Sequence, residues 1–347
     1  MKILLAGSAR HMAVEWHYIR PFEEMGVEVH QYPAHDIVFN FHTRNIFNKI
    51  LFKTGLVTLY PKVNRGIIEL ANKIKPDIIW IFKGMEFYPE TIQQLSRNFK
   101  VVNYNPDHPF EFSSRGSGNK NVLGSIPFFS LYLTYSEKIA GELEKRFKVT
   151  TAQLPFGYEY SPAVFKKAVA AEEINRCCFI GNPDAIRVEH IKALLEGGLP
   201  VDIYGHGWNS FFRSGAYPGL QVADAVYGDD FWVKARQYRV QLNVFRPHNE
   251  ASHNMRSFEI PGIGGIQLAP YSPEHARFFE DGKEIFLFRN TSEMVQKAKQ
   301  LMAMPPGETN QIRENAIARS VQSEYSYKNR AAQLLEIFKK LCAERKG

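Results

Sequence analysis

The sequence predicts an α/β protein made of two Rossmann-like domains in tandem, facing each other across a cleft. Three observations carry this expectation. Short, almost wholly apolar runs alternate with amphipathic stretches of helical period, the pattern of a parallel sheet covered on both faces. The alternation breaks off in a polar, Ala-rich stretch, FKKAVAAEE at 165–173, and then restarts. Finally, 347 residues exceed what one ordinary core holds, since single cores stop growing beyond ~250 to 300 residues, but suit two domains.

In order, KILLAGS at 2–8 reads as a strand, the stretch from Ala13 to Met25 as a helix and VEVHQY at 27–32 as a second strand. IIELANKIK (67–75) and PETIQQLSRNF (89–99) have helical period and flank the apolar strand PDIIWIFKG (76–84). KVVNYN (100–105), FSLYLTYS (129–136) and the helix SEKIAGELEKRF (136–147) complete the first domain, expected over 1–155 with a linker over 156–172. The second domain, 173–325, opens with the strand RCCFIGN (176–182) and the helix AIRVEHIKALLEGG (185–198), whose Gly pair suits a left-handed cap. The strand PVDIYGHG (200–207), the helix DDFWVKARQY (229–238) and the strand VQLNVF (240–245) follow. After the segment HNMRSFEIPGIGG (253–265) come the strand IQLAPYS (266–272), a short helix around HARFF (275–279), the strand EIFLF (284–288) and three helical segments. Ligands of such sheets bind beyond the carboxyl ends of the strands.

Composition narrows the chemistry. Three cysteines, two of them adjacent at Cys177 and Cys178 and the third at Cys342, make no disulfide framework. No apolar run approaches the ~20 residues of a membrane span, and MKILLAGSAR lacks signal-peptide anatomy. A soluble cytoplasmic protein is expected. The 43 Lys and Arg against 36 Asp and Glu leave a net charge of +7, a pull toward anionic partners. Residues 37–68 hold Arg44, Lys49, Lys53, Lys62 and Arg65 among aromatic residues with no acidic side chain. Such a stretch reads either as contact with an anionic (inner) membrane surface or as a helix packing its aromatic face and solvating its lysines. No nucleic-acid module is recognisable. Neither G-x-G-x-x-G nor G-x-x-x-x-G-K-[ST] occurs, which disfavours a dehydrogenase or nucleotide hydrolase. The eleven histidines show no H-E-x-x-H or finger spacing, so no metal and no cofactor are expected.

The most informative stretch is NVFRPHNEASHNMRSFEIPGIGGIQLAPY, 243–271. Ser252 or His253 is placed to cap a helix opening with Asn254, Met255 and Arg256 and stopped by Pro261 and Gly262. Free amides at that start would receive a diphosphate, with Arg246 and Arg256 adding charge-assisted bonds. Glu259 would accept bonds from ribose hydroxyls, and Gly264 and Gly265 would let the backbone pass close to ligand. The bland reading is an ordinary helix with a Gly-rich turn before a strand.

At this point the chain resembles a known family. The run MRSFEIPGIGGIQLAPYSPEHARFFEDGKEIFLFRNTSEM is similar to the carboxy-terminal half of the spore-maturation-type (CgeB-like) glycosyltransferases, a branch of the two-domain GT-B class with a group 1-like carboxy-terminal domain. FIGN (179–182), Arg187, IYGHGW (203–208), LNVFRPHN (242–249), which includes Asn243, and SYKNRAAQLLEIF (326–338) support it, over roughly residues 170–345. The amino-terminal half agrees only in its order of elements. The resemblance implies that Glu259 holds the donor ribose, that Gly181 and Asn182 face the diphosphate, that Arg187 touches phosphate, and that 326–347 is a helix crossing back to an acceptor-side first domain. Related retaining enzymes carry a second glutamate eight residues before the ribose-binding one; here that position is Ala251, with Glu250 adjacent, which puts the stereochemical outcome in doubt.

In the first domain Asp107 and His108 follow a strand and read either as a general base for an acceptor hydroxyl or as part of a turn. Gly7, Ser8 and His11 follow the first strand in a loop that would touch donor or acceptor. Gly205 and His206, on a strand-end turn of the second domain, would approach the donor. The expected function is metal-independent transfer of a sugar from a nucleotide diphosphate sugar to an acceptor hydroxyl of a glycan, lipid-linked or protein substrate, with a part in cell-surface glycan biosynthesis. Alternatives are a nucleotide-sugar epimerase of the same fold, recognised by sugar interconversion without an acceptor, and a non-catalytic glycan-binding relative, recognised by the absence of donor turnover.

Overall fold

All five residues of IIWIF at 78–82 are buried, as a strand covered on both faces requires. They form the centre of the first of two sheets in the computed structural model, which describes residues 1–11, 13–44, 48, 59–111, 117–213, 215, 217–245 and 252–344. The chain divides into two units: Met1–Pro155 with Tyr327–Gly347, and Phe156–Ser326. Each holds one six-stranded, wholly parallel sheet, and the fold is α/β.

In the first unit the strands are β1 (Lys2–Ala6), β2 (Glu28–Tyr32), β3 (Ile78–Phe82), β4 (Lys100–Asn105), β5 (Leu131–Thr134) and β6 (Thr151–Gln153), in the order β2-β1-β3-β4-β5-β6. Chain order reverses between β1 and β3, so the crevice of this unit lies beyond the carboxyl ends of those strands. Helices α1 (Trp16–Glu24), α2 (Ala34–Thr43), α3 (Leu59–Ile74), α4 (Pro89–Ser96), α5 (Lys120–Ser125) and α6 (Glu137–Phe147) connect them. The last helix of the chain, α14 (Tyr327–Ala343), belongs to this unit. Its Tyr327 stacks on His17 at 4.5 Å and its Phe338 meets Trp80 edge-on at 5.7 Å, within the core of Ile3, Leu5, Phe22, Trp80 and Tyr104.

The second unit comprises β7 (Ile174–Ile180), β8 (Val201–Tyr204), β9 (Leu220–Ala223), β10 (Tyr238–Leu242), β11 (Gln267–Pro270) and β12 (Phe286–Phe288), in the order β12-β11-β10-β7-β8-β9. Its reversal lies between β7 and β10. The helices are α7 (Pro162–Ala170), α8 (Ala185–Glu196), α9 (Gly228–Gln237), α10 (Arg256–Gly262), α11 (Pro273–Phe278), α12 (Thr291–Ala303) and α13 (Pro306–Gln322).

Two differences from expectation have physical causes. The stretch read as a linker, 156–172, lies in the second unit and contains α7: Ser161 accepts the amide of Val164 at 3.2 Å, Pro162 opens the first turn, and the small Ala168 packs with Phe231, Ala235 and Ile263. Ala-rich composition here serves close helix packing. Strands β6 and β9 were not anticipated; they are sheet-edge strands of three and four residues with partly exposed side chains, too short for a period to register. The middle of the basic aromatic segment, including Lys49 and Lys53, lies outside the described residues. Of its described cations, Arg65 lies 3.9 Å from Glu69, and α3 buries Val63, Asn64, Ile67 and Ala71. Among the described residues no helix is long and apolar enough to cross a membrane.

Candidate functional site

The second unit's crevice opens where β7 and β10 end. A small cleft lies there, lined among others by Ile180, Arg187, Phe231, Asn243, Asn254 and Arg256. The end of β7, Phe179 and Ile180, forms part of its lining. Asp184 caps α8 by accepting the Arg187 amide at 3.0 Å, which aims the Arg187 side chain back across the strand ends. The guanidinium donates to the carbonyl of Asn182 at 2.9 Å and to that of Val244 at 3.3 Å, and pairs with Asp184 at 3.2 Å. Arg187 thus bolts the loop after β7 to the loop after β10 across the reversal of strand order.

Gly181 and Gly205 serve each other. The Gly181 carbonyl accepts the Trp208 indole N–H at 2.8 Å, and a Cβ on Gly205 would collide with that same carbonyl. Only a glycine lets the loops after β7 and β8 touch. Asn182 Oδ1 accepts the His206 amide at 3.0 Å, tying the loops again, while the exposed His206 ring lies 3.3 Å from the Tyr227 hydroxyl. The glycines therefore shape the rim.

The start of α10 differs from expectation. The cap is Asn254: its Oδ1 accepts the Ser257 amide at 3.1 Å and its own amide donates to Ser257 Oγ at 3.2 Å, a reciprocal capping pair. The amides of Phe258 and Glu259 go to the Met255 carbonyl at 3.0 and 3.1 Å. With most of its first-turn donors used internally and only seven residues in length, α10 offers little as a diphosphate cradle, and anion binding falls to the arginines. Ser252 and His253 are buried elsewhere: Ser252 Oγ donates to Glu274 Oε2 at 2.5 Å, and His253 Nδ1 lies 3.1 Å from the same oxygen. Glu259 is buried and its carboxylate accepts from the Arg256 guanidinium, which in turn lies 4.0 Å over the Phe231 ring. Asn243 is buried beneath the cleft, donating to Gln267 Oε1 at 3.1 Å and Asn254 Oδ1 at 3.2 Å, and accepting from Asn254 Nδ2 at 2.8 Å. It sets the position of α10, and its partner Gln267 carried no local sign of this role.

Gly264 and Gly265, expected to face the ligand, do not line the crevice. They precede β11, at the end of the sheet opposite the crevice, and a Cβ on either would strike Arg236 or the Ala235 carbonyl. Gly264 has φ +78°, and its carbonyl accepts from Arg313 at 2.9 Å. The close approach they permit is to α9 rather than to a ligand. Arg246, Glu250 and Ala251 lie outside the described residues.

In the first unit, Gly7 follows β1 where a Cβ would meet Glu15 Oε1 at 2.6 Å and Phe82 Cβ at 2.9 Å, so the glycine admits a buried carboxylate. Burial pushes the Glu15 pKa up, against the pull of backbone bonds and the nearby Lys83 and His35 charges. Ser8 donates its amide to Glu15 at 3.0 Å and its hydroxyl to Asp36 at 3.0 Å. His11 is exposed and meets Trp16 edge-on at 4.0 Å. Asp107 makes the turn contact anticipated as its alternative, accepting the His108 amide at 3.0 Å, and also lies 3.6 Å from Lys83. His108 sits against Phe110 with its pKa pushed down by burial. The acidic residues Glu15, Asp36 and Glu86 of this edge escaped the sequence reading, because their partners stand up to 51 residues away in the chain. Among the described residues, no three His, Cys, Asp or Glu side chains cluster as metal ligands.

Residues 186–336 match the family model described as glycosyl transferase-like, a span that includes Arg187, Asn243, Asn254 and Glu259. No curated protein matches significantly. The chain is similar in structure to a sucrose-phosphate synthase from Thermosynechococcus elongatus, with TM-score 0.70 and 11% identity over 99% of this chain and 100% of that one. An α,α-trehalose 6-phosphate synthase from Burkholderia multivorans aligns with TM-score 0.66 and 11% identity over 99% of both chains. A structure assigned as a UDP-N-acetylglucosamine 2-epimerase from Listeria monocytogenes aligns with TM-score 0.59 and 10% identity over 99% of this chain and 97% of that one. At these identities the likeness is one of fold, and the fold is GT-B-like.

Proposed function

We propose that the protein is a glycosyltransferase that moves a sugar from a nucleoside diphosphate sugar, held in the second unit, to an acceptor hydroxyl, without a metal ion. The observation that carries this is the cleft at the β7/β10 reversal, lined by Arg187 and by Arg256, which is paired with the buried Glu259, all within the span matched by the glycosyl transferase-like family model. The Arg256–Glu259 pair suits donor binding through exchange. A diphosphate carries enough negative charge to draw the guanidinium off the carboxylate, and the carboxylate then accepts the ribose hydroxyls. Arg187 adds a second cation beside the departing diphosphate, so chemistry rests on positioning and on electrostatic stabilisation of the leaving group.

Narrower readings belong to the same proposal: membership of the CgeB-like branch, an acceptor that is a glycan, lipid-linked or protein hydroxyl, work in the cytoplasm at the inner membrane surface through residues 37–68, and a part in cell-surface glycan biosynthesis. Incubation with UDP-, GDP- and dTDP-sugars in EDTA, following nucleoside diphosphate release, tests the central claim. Release that persists in EDTA is expected. Interconversion of the donor sugar with no acceptor present would instead favour the epimerase, a chemistry assigned to the Listeria monocytogenes neighbour. Nucleotide binding without turnover would favour a non-catalytic relative.

A further inference from the structure

A second groove opens farther along the carboxyl edge of the second sheet, beyond the ends of β10, β11 and β12. Ile186 and His190 of α8, Phe245 after β10, Tyr271 after β11, and Phe288 and Arg289 at the end of β12 line it. None of these six side chains lines the donor cleft. Phe245 and Phe288 are buried and present apolar surface to the groove, while its polar groups are held in place from behind. The Arg289 guanidinium lies over the Tyr271 ring at 4.4 Å. Parallel pairing of β11 with β12 brings the two together, since the Tyr271 amide donates to the Phe288 carbonyl at 2.8 Å. The Arg289 amide is fixed in turn by Glu293 Oε2, in the first turn of α12, at 2.7 Å. Tyr271 is itself 39% exposed, and among the described residues no carboxylate forms an ion pair with the Arg289 guanidinium. Stacking uses the face of that planar cation and leaves its in-plane N–H donors for a ligand. His190 Nδ1 lies 2.7 Å from the Ile186 carbonyl one turn back in α8, so in the neutral ring Nδ1 carries the hydrogen and Nε2 is an acceptor. The imidazole packs 5.6 Å from the Phe288 ring.

We propose that this groove is a binding site, separate from the donor cleft, for a hexose that carries one anionic group, a carboxylate or a phosphate. Arg289 receives the anion through its in-plane donors, which tyrosine stacking orients without neutralising the charge. The C–H face of the sugar ring covers the apolar surface of Phe245 and Phe288, and a ring hydroxyl donates to His190 Nε2. Each group rejects a different competitor. An acceptor nitrogen beside aromatic surface favours a hydroxylated ring over a purely apolar acid, and a cation with no acidic partner favours an anionic sugar over a neutral one. All of these residues belong to the second unit, so the site requires nothing of the first.

Titration calorimetry of the full chain with glucuronate, glucose 6-phosphate, glucose and inorganic phosphate tests this. At least one of the two anionic hexoses should bind, and the tighter of them identifies the anion as carboxylate or phosphate. Glucose should bind about 10-fold more weakly or less, and Arg289→Gln should weaken the anionic hexose by about the same factor, the loss of one charge-assisted bond. His190→Phe, which keeps an aromatic ring on Phe288 and removes the acceptor, should weaken the anionic hexose and leave inorganic phosphate unaffected. Should Arg289→Gln fail to fold, the imidazole resonances of wild type decide: the signal missing from the His190→Phe spectrum should move when the anionic hexose is added, and a stationary signal overturns the proposal. So does binding of neither anionic hexose, glucose binding as tight as theirs, or equal affinity in folded Arg289→Gln. Inorganic phosphate as tight as glucose 6-phosphate would reduce the groove to a bare anion site and overturn the sugar assignment. Displacement of the bound hexose by UDP would place it in the donor cleft and overturn the separate site.

Discussion

Glu259→Ala is the sharpest test of the donor site. The carboxylate is buried and paired with Arg256 in the free protein, and one charge-assisted hydrogen bond from a ribose hydroxyl, gained as the guanidinium moves to the diphosphate, sets the scale, about 2 kcal/mol. That is roughly 30-fold in Kd. A nucleotide present at 100 times its Kd stabilises wild type by about 2.7 kcal/mol, a thermal shift of roughly 5 to 10 °C for a unit of this size. At the same concentration the variant should gain only about 0.8 kcal/mol, or roughly 2 to 3 °C. Each protein is referred to its own ligand-free midpoint, because removal of Glu259 also leaves Arg256 without its carboxylate. Glu259→Gln, which keeps the volume, runs alongside. A nucleotide-induced shift equal to that of wild type in both variants would refute the reasoning and return Glu259 to a structural role with Arg256.

Other expectations follow from the same geometry. Gly205→Ala drives a methyl into the Gly181 carbonyl and disturbs the Trp208 bond, and should cost about 2 to 4 kcal/mol in urea unfolding; a midpoint within error of wild type would show that the loops can part freely. Asn243→Ala removes the amide joining Asn254 and Gln267 and should cost about 1 to 3 kcal/mol, whereas Asn254→Ala, which also removes the cap of α10, should cost a similar amount and weaken nucleotide binding besides. His275 is wholly buried, and desolvation followed by the neighbouring His253 holds its pKa down at about 3. Since the unfolded chain takes up that proton near pH 6.5 and the folded one does not, the stability is fully present above ~6.5 and is lost as pH falls, by up to about 1.4 kcal/mol per unit between ~6.5 and 3. His275→Gln should flatten that slope in unfolding curves between pH 7 and 4; an unchanged slope would assign it to other groups.

The alternation of apolar strands with amphipathic helices was written in the chain because burial on both faces leaves no polar side: IIWIF and the strand core LYLT are apolar or aromatic with at most one small hydroxyl. Capping chemistry was partly legible as well, since the segment around residue 254 announced a helix start, although the choice among Ser252, His253 and Asn254 depended on which side chain Glu274 would claim. The roles of the glycines were not legible. Gly205 and Gly264 look alike in sequence, yet one touches the loop at the crevice and the other touches α9 at the far edge, and only the direction of the parallel strands separates them.

By itself the sequence determined the fold class, two α/β units with parallel sheets, because local burial and helix period are recorded residue by residue. The strand orders, β2-β1-β3 in one unit and β10-β7-β8 in the other, were decided only by tertiary packing, and with them the places where chain order reverses. His35 meets Glu86, Arg187 reaches Val244, and Asn243 reaches Gln267 only once those orders exist. The physical reason is that a hydrogen bond between side chains far apart in the chain leaves no period and no local composition; it comes into being when the strand ends converge.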